Sequence, residues 1–101
     1  MNDISAAPNR SKITARVKSV ERAPSSPGKW YLIVDILDVT PIEGGQFARV
    51  GSEARVFTFG DQAPVGPGEV LSGEVEYLGG ALAGEFQLHR LISRHAERRR
   101  D

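Results

Sequence analysis

The sequence predicts an all-β fold: a single five- to six-stranded antiparallel barrel with no helix. Two observations carry the prediction. Apolar and polar residues alternate with a period of two in stretch after stretch, which is the spacing of a half-buried strand. Between those stretches lie clusters of turn formers, and the chain holds 11 glycines and 6 prolines in 101 residues. A sheet this small must bury one face, and closing on itself does so without leaving edges.

The elements follow in order. Residues 1–10 are polar and aperiodic and read as a disordered leader; 11–93 read as the barrel domain and 94–101 as a basic tail. In KITARVKSVERA, 12–23, Ile13, Ala15 and Val17 face inward, and Lys12, Thr14, Arg16 and Lys18 face outward. Val20 falls out of phase, so a bulge is expected near Lys18–Ser19. PSSPG, 24–28, is a loop. KWYLIVDILDV, 29–39, is the most apolar strand, and Asp35 sets its register. Turning Asp35 outward puts Trp30, Leu32, Val34 and Ile36 inside and Tyr31, Ile33 and Leu37 outside; the other register would bury an unpaired carboxylate. TPIEGGQ, 40–46, is the next turn, FARV, 47–50, starts a third strand, and GSE bends into ARVFTFG. DQAPVGPG, 61–68, cannot be a helix. EVLSGEVEYL, 69–78, places Leu71, Val75 and Tyr77 inward, with Gly73 marking a bend or a close backbone approach. GGALAG, 79–84, is a hairpin loop, and EFQLHRLI, 85–92, is the last strand, with Phe86 and Leu88 inward.

The long bent first strand, the central glycine of the fourth and the entry at Pro67–Gly68 resemble an OB-fold barrel over residues 12–93. The resemblance implies a binding domain that uses the outer face of its second and third strands. That family's usual helix between strands three and four has no counterpart in DQAPVGPG. The aromatic-rich motifs of the helix-free cold-shock branch are not found. An SH3-like barrel is the alternative architecture.

Composition narrows the function. With no cysteine, a disulfide framework, a thiolate zinc site and a cysteine nucleophile are excluded. The stretch MNDISAAPNRSK has no apolar h-region, and the longest apolar run, around WYLIV, is too short to span a bilayer. A cytoplasmic protein with no membrane partner is expected. His89 and His95 lack a paired carboxylate at metal-ligand spacing, and no nucleophile elbow, phosphate loop or zinc-helix motif occurs. The expectation is a non-enzyme without cofactor.

Net charge is zero but unevenly spread. Residues 1–30 carry six Lys/Arg against two Asp/Glu, 31–89 carry two against nine, and 90–101 carry five against two. Basic ends and an acidic middle fit either a nucleic-acid contact or an internal charge match. The leading expectation is a module for single-stranded nucleic acid. Tyr31, Phe57 and Phe59 would stack on bases; Arg55, Lys12, Arg16, Lys18, Arg94, Arg98, Arg99 and Arg100 would meet phosphate. For Lys12, Arg16 and Lys18 a pairing with Glu74 and Glu76 on the neighbouring strand is at least as good a reading. The third strand is ambiguous. Burial of a phenylalanine contributes roughly 1.5–3 kcal/mol, which favours Phe57 and Phe59 in the core with Arg55 at the rim. The opposite register would turn all three outward beside Tyr31 and Ile33. The alternative function is a protein-interaction or homodimer module using the apolar stripe Tyr31, Ile33 and Leu37.

Overall fold

The computed structural model describes residues 7–79 and 84–96. Five strands carry the fold: β1 (Arg10–Arg22), β2 (Lys29–Glu43), β3 (Glu53–Phe59), β4 (Glu69–Gly79) and β5 (Gly84–Ala96). They form a closed sheet in the order β1–β2–β3–β5–β4, with β4 returning to β1. The expected purely antiparallel pairing is corrected at one junction. β3 and β5 run parallel, at Val56–Phe86 and Phe57–Gln87. The reason is topological. Each antiparallel pairing reverses direction, so a ring with an odd number of strands cannot close through antiparallel pairs alone.

Alternation places the core as expected on β1, β4 and β5. Ile13, Ala15, Val17, Leu71, Val75, Phe86 and Leu88 are buried. Leu32, Val34 and Ile36 of β2 join them, while Trp30 is only half-buried. Its indole N–H donates to the Gly60 carbonyl at 3.1 Å, and the Arg22 guanidinium lies 5.0 Å from its ring. The register of β1 against β2 shifts between Val17 and Ser19, where the phase of Val20 called for a bulge, and again between Thr14 and Ala15. Gly73 sits where a side chain has no room: an added Cβ would lie 2.6 Å from Leu88 Cδ1 and 2.7 Å from the Arg90 carbonyl oxygen.

Several boundaries differ from the expectation. β2 runs through Pro41 to Glu43, and the chain turns at Gly44, whose φ of 69° favours glycine. Residues 47–50 are loop, and β3 starts at Glu53. β5 continues through Arg94 to Ala96, so the strand includes the first residues assigned to the tail. Residues 80–83 of the expected hairpin loop lie outside the described residues, as do 1–6 and 97–101.

Two devices close the ends of the ring. In the loop after β3, Val65 is 2% exposed and packs into the core. The Gly68 N–H donates to the Val17 carbonyl at 2.8 Å, and the Arg94 guanidinium donates to the Pro64 carbonyl. At the other end Phe47 stacks on Tyr77 at 4.8 Å, and Tyr77 meets Phe86 edge-on at 5.2 Å. Asn9 holds this end to the chain start. It is 5% exposed, accepts from the Tyr77 N–H at 2.8 Å and donates to the Tyr77 carbonyl at 3.1 Å. Among the described residues no helix is long and apolar enough to cross a membrane.

Candidate functional site

Strand register decides which way β3 faces. Leu32, a core residue, pairs with Val56, and Tyr31 pairs with Phe57. Direct partners share a face. Val56 therefore points inward, and Arg55, Phe57 and Phe59 point outward with Lys29, Tyr31 and Ile33. The expected core placement fails for Phe59, whereas Phe57 is buried as expected but from the outer side of the sheet. Phe57 is only 7% exposed, yet it stands outside the core cluster. It is covered on the outer face by its neighbours. Phe59, at 60% exposed, is open to solvent. The burial reasoning holds for Phe57 and fails for Phe59, and the inward position of β3 is taken by Val56, which packs in the core cluster with Val65.

The outer face of β2 and β3 carries a compact set of rings and cations. Phe57 and Phe59 meet edge-to-face with centroids 5.9 Å apart. The Lys29 ammonium lies 4.5 Å from the Phe57 centroid, 5.0 Å from Tyr31 and 6.0 Å from Phe59. The Arg55 guanidinium lies 3.8 Å from the Tyr31 centroid. Each such contact contributes about 0.5–1 kcal/mol at an exposed site. β5 supplies the rim: Gln87 is paired with Phe57, and Glu85 holds Arg55 at 3.5 Å. On the opposite side Glu21 of β1 is the register partner of Tyr31.

The remaining expected residues lie elsewhere. Lys18 bonds Glu53 at 2.6 Å and lies 3.9 Å from Asp35. The Glu53 hydrogen bond, then the Asp35 and Glu53 charges, raise its pKa. Arg16 is the register partner of Asp35, and Lys12 of Glu74. This β1 stripe thus faces carboxylates on its neighbours. Glu74 also takes Arg10 and Arg90, each at 3.4 Å, and Glu76 takes His89 at 2.8 Å. Leu37 sits beyond Asp35 at a register shift, separated from Tyr31 and Ile33 by the Lys18–Asp35–Glu53 cluster. Arg94 is tied to the loop carbonyl of Pro64. Arg98, Arg99 and Arg100 lie outside the described residues.

Sequence reasoning missed Lys29, the cation shared by all three rings, although it stands in phase with Tyr31 and Ile33. It also missed Glu85 and Gln87, whose role depends on the β3–β5 closure and has no local signal. Among the described residues no cluster of three or more His, Asp or Glu side chains could hold a metal ion. No family model, curated protein or solved structure matches this chain.

Proposed function

We propose that this chain is a non-catalytic, OB-like barrel that binds single-stranded nucleic acid on the outer face of β2 and β3. The observation that carries the reading is one outer-face cluster in which Lys29 and Arg55 lie over the rings of Phe57 and Tyr31, with Phe59 beside them open to solvent. A five-stranded ring in which β1 pairs with both β2 and β4 supports the OB-like assignment.

Phe59 offers the open ring. Tyr31 becomes available when Arg55 swings from its face to a phosphate, exchanging the Glu85 carboxylate for a phosphate oxygen. Stacking contributes about 1–3 kcal/mol per base without regard to sequence. Two phosphate contacts, by Lys29 and Arg55, give a salt slope of about −1.4 for a single strand, so affinity falls roughly sevenfold for a fourfold rise in salt.

The test is a titration with a mixed-sequence single-stranded oligonucleotide, followed by anisotropy and by the fluorescence of Trp30. Wild type binds with that salt dependence, and Phe59→Ala binds about 5- to 150-fold more weakly. No anisotropy change at high protein concentration, or equal affinity in Phe59→Ala, sinks the reading.

A further inference from the structure

We propose that copies of this chain associate head to tail, the open edge of β2 in one copy adding as a strand to the open edge of β5 in the next. Two long strands each have one unpaired side. β5 pairs with β4 as far as Ala96, but on its other side it meets β3 only at Phe86 and Gln87. β2 pairs with β1 as far as Glu43, but β3 leaves it at Asp35–Glu53, and only Ile36 is then bonded, to Gly51 and Ser52. Among the described residues no turn or loop hydrogen bond reaches 37–43 or the backbone of 88–96. Backbone groups on such edges are ready to pair with another strand.

The two edges are opposite in charge. LDVTPIE, 37–43, carries Asp38 and Glu43 and no cation; LHRLISRHA, 88–96, carries Arg90 and Arg94, which also meet Glu74 and the Pro64 carbonyl, and no acid. Each also exposes two large apolar side chains, Leu37 and Ile42 on the first and Leu91 and Ile92 on the second. Pairing either edge with its own kind would set like charges across the ladder, which is destabilising. The favoured partner is therefore the other edge of a second copy, and a contact between two different surfaces propagates instead of closing as a two-fold dimer. Pro41 has no N–H to offer, which limits the added ladder to Leu37–Thr40. A ladder this short, supported by exposed charges, makes a weak and salt-sensitive contact. In a chain with zero net charge, part of the acidic middle and the basic C-terminal end acquire a role as complementary surfaces.

Sedimentation of wild type and two variants tests this. Asp38→Lys spoils the acidic edge, and Arg90→Glu with His95→Glu spoils the basic one. Thermal melts of both variants establish that they fold. Wild-type mass rises with concentration at low salt and returns to that of one chain when salt is added. Each variant alone sediments as a single chain. Their equimolar mixture is heavier than either component, because the intact basic edge of the first meets the intact acidic edge of the second and the two reversed edges are again opposite in charge. A wild type that stays a single chain at every concentration overturns the proposal, and so does a mixture no heavier than its components. No substituted residue belongs to the Tyr31–Phe57–Phe59 patch, so oligonucleotide binding and self-association fail or survive separately.

Discussion

Gly73→Ala probes how tightly the closed sheet is packed where the register of β4 against β5 shifts. Gly73 pairs with Ile13 of β1 and with Leu91 of β5, at a register shift. A methyl group there meets two atoms at once. Leu88 Cδ1, at 2.6 Å, is the tip of a side chain and can rotate away. The Arg90 carbonyl oxygen, at 2.7 Å, belongs to the β5 backbone and moves only if the ladder moves. Overpacking of this kind costs about 1–3 kcal/mol, and the lower entropy of the unfolded alanine chain offsets about 0.4–1 kcal/mol of that. The net expectation is a loss of about 1–2 kcal/mol, which lowers the melting temperature by about 4–16 °C in a domain of this size. Gly60→Ala is the control. The nearest atom to its added Cβ is the Gln62 carbonyl oxygen at 3.5 Å, and its backbone is not left-handed, so its melting temperature stays level or rises slightly. Thermal and urea melts of both variants give the comparison. A Gly73→Ala protein that melts within about 2 °C of wild type refutes the packing account of β4.

Asn9→Ala leaves the partly buried N–H and carbonyl of Tyr77 without this partner, and urea melts should show a loss of about 1–3 kcal/mol although the residue precedes β1. Phe57→Ala and Phe59→Ala should separate stability from binding. The covered Phe57 loses about 2–3 kcal/mol of folding free energy, whereas the exposed Phe59 loses under about 1 kcal/mol while its oligonucleotide affinity drops. Lys18 tests the pH response. Its raised folded pKa means that its pairing with Glu53 and Asp35 is present at neutral pH and is lost only as pH climbs through that raised value. The melting difference between wild type and Lys18→Met should therefore hold constant from neutral to mildly alkaline pH and shrink in strong alkali.

What could be read from the sequence depended on whether a signal was local. Ile13, Ala15 and Val17 declared β1 by alternation alone, and the misplaced Val20 marked its bulge. Asp35 set the register of β2 because a buried unpaired carboxylate costs more than any packing gain nearby. Gly73 in an inward row announced a bend or a close approach, and the close approach to Leu88 and Arg90 is what the structure has. The β3 register was not legible. Its two faces offer Val56 or the phenylalanines, and the choice rests on how much interior volume Val65, Leu32 and Phe86 leave, which is a property of the closed ring. Asn9 looked like part of a loose leader because its partner, Tyr77, lies 68 residues away. The far half of β5 was invisible for another reason. Both of its faces are exposed from His89 onward, so no alternation survives to mark it as a strand. The candidate patch inherits these limits. Tyr31 and Ile33 followed from Asp35, whereas Lys29, Glu85 and the outward turn of Phe57 and Phe59 needed the pairing of β2, β3 and β5.

The central claim is that the outer face of β2 and β3 holds the nucleic acid. Amide and side-chain resonances of isotope-labelled protein, followed while a single-stranded oligonucleotide is added at low salt, test it most directly. The account predicts saturable shifts at Lys29, Tyr31, Arg55, Phe57 and Phe59, with Arg55 losing the signature of its Glu85 contact, and little change along the β1 residues Lys12 and Arg16. Shifts confined to β5 and the residues after it, or no shifts at all, would contradict the account.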